Sequence, residues 1–204
     1  MKIKILSNII ELRNYFGLVR DGVILENDLD VVENDCDHFE RKRRDAEVLC
    51  TLGANSPGDC LDLGTSRGRS AFKLATNLAG RGRVFTVNLL PEQYDATAGR
   101  LVTHLLPKEE IGSFFRERGV ENIEQIYADT ARWVIPETIT NLGMAFVDAA
   151  HDTERVYADS KKVYEHVRPG GFLCWHDFSP EHRAKYHWID AAMRGVEQFM
   201  ASIQ

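Results

Sequence analysis

At 204 residues the chain is long enough to enclose one sizeable core, so a single domain over 1–204 is expected. With 44% apolar and 27% charged residues it has an ordinary globular composition, and no stretch approaches the ~20 apolar residues of a membrane span. The net charge of −6 argues against a phosphate backbone, so neither nucleic acid nor membrane is an expected partner. The one basic block, Arg41-Lys42-Arg43-Arg44, points all around a helix and makes no stripe. Cys36, Cys50, Cys60 and Cys174 show no C-x-x-C spacing, and the first apolar run is too short for a signal peptide. A cytoplasmic location is expected.

Residues 1–35 are mixed, and "VRDGVILENDLDVVEND" reads as a short strand or an acidic loop. Residues 37–53 have partial helical spacing in Phe39, Ala46, Leu49, Cys50 and Leu52, and "NSPGD" (55–59) is a turn. The pattern then becomes regular. Cys60 to Leu63 is a short strand ending at Gly64, and Ser70 to Leu78 is a helix closed by Gly80 and Gly82. "RVFTVNLL" (83–90) is a second strand, stopped by Pro91. Residues 92–118 hold one or two helices, including "PKEEIGSFFRERG" with Pro107 at its start. "IEQIYAD" (123–129) is a third strand, followed by a short helix or turn near Thr130–Trp133. "LGMAFVDA" (142–149) is a fourth strand. "DTERVYADSKKVYEHV" (152–167) is a helix closed by Arg168-Pro169-Gly170-Gly171, "FLCWHDF" (172–178) a fifth strand, and 187–202 a last helix.

Strands that are nearly continuous apolar runs, alternating with helices, define an α/β fold with a doubly wound, mostly parallel sheet. Ligands of such sheets sit beyond the C-terminal strand ends, near the switch point. The residues to examine are therefore Asp62 and Gly64, Asn88, Asp129, Asp148, and His176-Asp177.

The turn "DLGTSRGRS" (62–70) is not a dinucleotide fingerprint, because Ser66 and Arg69 fall where G-x-G-x-x-G needs glycine. Nor does it supply a Walker loop. Its D-x-G-x-x-x-G pattern resembles the first motif of class I S-adenosylmethionine-dependent methyltransferases. "FVDAAHDTERVYAD" and "RPGGFLCWHDF" are more specific. They resemble a subgroup of small O-methyltransferases with DGxHxYExVxxD and RPGGxxxWHDY motifs. Asp148, His151, Glu154, Val156 and Asp159 keep the first spacing; Arg168 to Gly171, Trp175, His176 and Asp177 keep the second. "LPKEEIGSFFR" also resembles that subgroup, and the likeness covers roughly 45–180. Departures are Ala149 in place of Gly, Thr153 in place of Tyr, and Asn88 in place of an acid.

The resemblance implies a Rossmann-like methyltransferase fold with a cofactor-binding core over 56–204 and an N-terminal, acceptor-side helical segment over 1–55. It implies S-adenosyl-L-methionine held by Asp62, Gly64, Thr65, Ser66, Gly68, Asn88 and Asp129. Asn88 stands where relatives hold both ribose hydroxyls, and it lacks the charge-assisted strength of a carboxylate. Asp129 matches the residue that accepts from the adenine amine, and it reads equally as an N-cap for the segment that follows.

Methyl transfer from a sulfonium is an in-line displacement at carbon, and the acceptor must lose a proton. A histidine base or a divalent cation can take that part. The implied catalytic residues are Asp148, His151 and His176. Metal-dependent relatives, acting on catechols and macrolide sugars, place Mg²⁺ at the positions of Asp148, His176 and Asp177. A histidine in that set leans toward another divalent metal, or toward no metal and a base role. His182 and His187 follow the fifth strand in a loop expected to border the acceptor pocket.

The chain shows no room for the two further strands usual in this class after the last helix. An uncovered sheet edge invites pairing, so a homodimer is an expectation. The implied function is methyl transfer to a hydroxyl oxygen of a small-molecule acceptor. The alternative is a non-catalytic nucleotide- or partner-binding protein that retains the fold.

Overall fold

The structure is a computed structural model that describes residue 4 and residues 6–23, 36–94 and 105–204. The 24–35 part of the strand-or-acidic-loop reading, and residues 95–104 of the expected 92–118 helical region, lie outside the described residues. Twelve elements follow in order. They are α1 (Ile9–Phe16), α2 (Cys36–Asn55), β1 (Cys60–Leu63), α3 (Arg69–Leu78), β2 (Val84–Asn88), a 3₁₀ turn (Pro91–Gln93), α4 (Ser113–Arg116), β3 (Ile123–Tyr127), β4 (Leu142–Val147), α5 (Thr153–Tyr164), β5 (Val167–Trp175) and α6 (His187–Ser202).

The five strands form one sheet in the order β3-β2-β1-β4-β5, and every pair is parallel. The expected doubly wound α/β fold is the observed one. The chain leaves β1 toward β2 on one side and later returns to β4 on the other, so the switch point falls between β1 and β4.

Alternation along each strand sends side chains to opposite faces. Cys60, Val84, Met144 and Phe146 meet α2, α3 and α4 through Leu49, Leu52, Phe72, Leu74, Phe114 and Phe115. Leu61, Leu63, Phe85, Val87, Ala145 and Val147 meet Ile135, Ile139 and Val163 on the other face. Central β1 and β4 are buried throughout, whereas edge strands β3 and β5 are half-exposed. That explains why "IEQIY" reads as a more polar strand. Helix α6 packs on α5 through Val156, Ala192 and Val196. Among the described residues no helix is long and apolar enough to cross a membrane.

Two expectations need correction, at the α5–β5 junction and at 107–118. Helix α5 ends at Tyr164, and "RPGG" is not its closing loop but the start of β5, which begins at Val167. Pro169 is tolerated there because β5 is an edge strand with a register irregularity opposite Leu142–Met144, and Gly170 takes φ +79°. Residues 107–112 form turns, with only one helical turn at Ser113–Arg116, since Gly112 at φ +70° interrupts the helix. Thr130–Trp133 is a turn whose Arg132 and Trp133 N–H groups donate to the Asp129 carbonyl. Helix α1 was illegible because it buries no residue, although Asn8 caps its start and Gly17 its end.

Gly64 requires its lack of a side chain. It sits at φ +108°, and a Cβ there would collide with the carbonyl of Asp148. Gly80 sits at φ +77° with open space around it. Gly64→Ala is therefore expected to lower unfolding free energy by about 3 kcal/mol or more, and Gly80→Ala by only about 1 kcal/mol. Urea denaturation of both variants measures the difference. Equal losses would show that the β1–β4 contact at Gly64 carries no weight.

Candidate functional site

The site begins with a row of polar side chains in the α3-facing core. Asp62, Thr86 and Gln125 are register partners on β1, β2 and β3. Gln125 Nε2 donates to Thr65 Oγ1 at 2.9 Å. Thr65 and Thr86 hydroxyls are 2.8 Å apart, and Thr86 Oγ1 donates to Asp62 Oδ2 at 2.7 Å. Each hydroxyl thus accepts once and donates once. Thr65, the second residue of the glycine turn, is fixed from below. Asp62 Oδ1 is buried without a hydrogen-bond partner. Burial raises the Asp62 carboxyl to about 7, with the nearby Asp148 charge adding to the rise and the Thr86 bond opposing it.

The turn is fixed from outside by the 107–116 segment. Gly112 N–H donates to the Ser66 carbonyl and Phe114 N–H to the Arg67 carbonyl, both at 2.9 Å. The ring of Phe115 fills the space that a Cβ on Gly68 or Gly112 would need. Arg67 pairs with Glu110 at 2.5 Å. At the end of β2, Asn88 Oδ1 accepts from Ser66 N–H at 2.9 Å, and its Nδ2 donates to the Leu89 carbonyl at 2.7 Å. Ser66 itself is left-handed, at φ +48°.

Asp129, beyond β3, accepts from Ala131 N–H at 3.1 Å and lies 3.9 Å from Arg132. Its side chain thus closes the turn that follows, as the capping reading expects. Asp159 is buried in α5, where it accepts from Thr130 Oγ1 at 2.9 Å and lies 3.8 Å from Lys162 Nζ.

The strand ends of β4 and β5 bring Asp148, His151, His176 and Asp177 into one cluster. His151 Nε2 lies 2.9 Å from Asp177 Oδ2 and 3.7 Å from Asp148 Oδ1. His176 Nδ1 lies 3.1 Å from Asp177 Oδ1 and 3.4 Å from Asp148 Oδ1. Asp177 reaches both imidazoles from a left-handed backbone at φ +57°, and His151 is placed by the turn before Asp152, which caps α5. Burial disfavours a charged His151, yet its bonds and charge contacts with Asp148 and Asp177 prevail and raise it to about 9. The Asp148 charge, with Asp177, raises His176, although 43% of its side chain is exposed and solvent weakens the effect. Burial pushes the Asp177 carboxyl up, but the two imidazoles outweigh it and hold the carboxyl well below the usual range.

Asp148, His151 and Asp177 offer ligand atoms within 4.8 Å of one another, a set that fits a divalent cation. The expected metal set had His176 with the two acids; the structure gathers all four residues, with His151 completing the tighter group.

A cleft of about 870 Å³ opens over this cluster, with Asp148, His176 and Asp177 in its wall. Its lining includes Leu49 and Leu52 of α2, Phe178 and Tyr186 of the loop after β5, Trp188 of α6, and the charged side chains Lys42, Arg44, Arg69 and Lys73. Tyr186 and Trp188 pack ring on ring at 4.7 Å. His182 lines the cleft and bonds Ser179 at 2.8 Å; His187 does not line it. Thr86, Gln125 and the Gly112–Phe115 pair were missed in the sequence. A signal was present in each, a polar residue inside a strand and a glycine three residues before a phenylalanine.

In parallel doubly wound sheets ligands sit at the switch point, and here the glycine turn and the acid cluster meet there. The chain belongs to the methyltransferase-domain family, whose model matches residues 61–178, more than half of its length. No curated protein matches it.

The fold is similar to that of the O-methyltransferase TomG from Streptomyces achromogenes, involved in tomaymycin synthesis and solved with SAM. TomG is 20% identical with a TM-score of 0.56, and the match covers 78% of this chain and 66% of TomG. It is also similar to the SAH-bound methyltransferase PaMTH1 of Podospora anserina, 15% identical with a TM-score of 0.59, over 100% and 89% of the two chains. An O-methyltransferase from Bacillus cereus, solved with SAH, is 14% identical with a TM-score of 0.56, over 94% and 76%. At these identities the likeness is one of fold.

The buried Asp62 makes stability depend on pH. Its folded pKa, about 7, lies above the unfolded value, so its favourable contribution is complete below about pH 4 and fades as pH rises to about 7. Asp62→Asn is expected to flatten the fall in unfolding free energy between pH 4 and 7. An unchanged slope in urea titrations across that range would refute the assignment.

Proposed function

We propose that this protein transfers a methyl group from S-adenosylmethionine to a hydroxyl oxygen of a small molecule bound in the cleft above Asp148, His176 and Asp177. The observation that carries the reading is the contact between Gly64 and the Asp148 carbonyl. It sets the glycine turn, where a nucleoside would lie, back to back with a charged cluster that opens into a cleft of mixed apolar and charged lining. Family membership and the SAM or SAH bound in structural neighbours support the cofactor. The DxxH and WHD spacings support the O-directed subgroup.

S-adenosylmethionine supplies a methyl carbon on a positively charged sulfur. The carboxylates of Asp148 and Asp177 favour positive charge at the strand ends. The acceptor oxygen attacks the methyl carbon as the carbon–sulfur bond breaks, and its proton must leave. At neutral pH a His151 raised to about 9 already carries a proton, so it is not poised as a base while both carboxylates face it. A metal ligand, like a base, needs the neutral imidazole; the convergence of ligand atoms at Asp148, His151 and Asp177 is what supports the cation-holding role. Asp148, His151 and Asp177 would hold a divalent cation, which supplies the acidity that an aliphatic or phenolic hydroxyl needs.

Isothermal calorimetry is expected to show S-adenosylhomocysteine binding and no NAD binding; no S-adenosylhomocysteine binding at millimolar concentration would sink the reading. Asp177→Ala is expected to abolish Mn²⁺ binding in calorimetry and any EDTA-sensitive methyl transfer. Retention of both would remove Asp177 from the site.

A further inference from the structure

Asn88 stands at the C-terminal end of β2, the place where doubly wound nucleotide-binding sheets turn an acidic side chain toward the ribose hydroxyls. Here both polar ends of the side chain already have protein partners. The carbonyl oxygen holds the N–H of Ser66, and the amide nitrogen holds the carbonyl of Leu89. Ser66 needs that support, because a residue with a Cβ at φ +48° is held in an uncommon backbone conformation. At the neighbouring strand end Asp129 accepts from the Ala131 N–H and closes its own turn.

We infer that Asn88 is a positioning residue that latches the glycine turn, and that the nucleoside site consequently reads the ribose diol weakly. The inference rests on the cofactor reading above. An aspartate at this position would keep an acceptor for Ser66 N–H but lose the donor to Leu89 O, and its second oxygen would be left facing outward with a charge. Asn is therefore the residue that satisfies both backbone groups, and it leaves no charged acceptor for vicinal hydroxyls. Sites of this kind tolerate a missing hydroxyl, whereas a carboxylate-held diol does not.

The test is calorimetry of the full chain with S-adenosylhomocysteine and with its 2′-deoxy analogue, in wild type, Asn88→Asp and Asn88→Ala. In wild type the two ligands are expected to bind within about threefold of each other, where a charge-assisted bond to the diol would separate them by about tenfold or more. Asn88→Asp is expected to widen the ratio to about tenfold. Asn88→Ala is expected to weaken both ligands by about tenfold with the ratio unchanged, because it removes the latch and not a ribose contact. A wild-type ratio of tenfold or more overturns the inference and leaves the cofactor reading intact. So does an Asn88→Ala variant that binds both ligands as wild type does. Binding of neither ligand by wild type overturns the inference and the cofactor reading together. If Asn88→Ala fails to fold, the wild-type ratio and Asn88→Asp still decide the matter.

Discussion

The close approach of Gly64 to the carbonyl of Asp148 is the constraint on which the site depends. It joins the ends of β1 and β4 across the switch point, with Asp148 N–H donating to the Leu63 carbonyl at 2.8 Å beside it. Because no side chain intervenes, the turn after β1 and the acid after β4 sit at one fixed spacing. The turn is then held on three sides: by the Thr65–Thr86–Asp62 row beneath, by Gly112 and Phe115 outside, and by Asn88 at the strand end. A binding turn is pre-organised in this way without a helix cap or a disulfide.

The polar row is costly in a core of this kind. A buried carboxyl oxygen without a partner costs about 1–3 kcal/mol, which the directional bonds from Gln125, Thr65 and Thr86 partly offset. The row orients Thr65 by a chain of bonds running from Gln125 Nε2 through the Thr65 and Thr86 hydroxyls to Asp62. An apolar residue at 86 would leave the Thr65 hydroxyl without its acceptor, and one at 62 would do the same to the Thr86 hydroxyl. The row therefore acts on the turn, and the turn is where a ligand would be placed.

The sheet was legible because buried parallel strands are nearly continuous apolar runs, as β4 is and as β1 and β2 are apart from Asp62, Thr86 and Asn88. The elements that went astray are those whose signals conflict. "RPGG" carries turn residues but lies in an edge strand, where the ladder tolerates proline and a bulge absorbs the glycines. "PKEEIGSFFR" begins like a helix, yet Gly112 is left-handed so that Phe115 can fold against Gly68. That contact depends on a partner 47 positions away in sequence, so the local glycine–phenylalanine spacing alone does not say what the ring packs against. The strand-end residues Asp148, His176 and Asp177 were found by topology and spacing. The hydrogen bonding of Asn88 could not be, because its partner Ser66 comes near only when β1 and β2 pair.

The charge cluster has a proton inventory that narrows its chemistry. Two carboxylates face two imidazoles within 3.7 Å, and each imidazole is stabilised as a cation by the same pair of acids. In this arrangement the acids have their positive partners supplied by protons, which leaves the histidines poor bases at neutral pH. Replacing those protons by another positive charge restores neutral imidazole without uncovering the carboxylates. A divalent cation would do this at Asp148, His151 and Asp177, where the ligand atoms already converge. The exposed His176, edge-on to Phe146 and facing the cleft, would then be the imidazole left to respond to the acceptor. Two histidines that look equivalent in sequence are thus distinguished by burial, one set inward among ligand atoms and the other at the wall of the cleft.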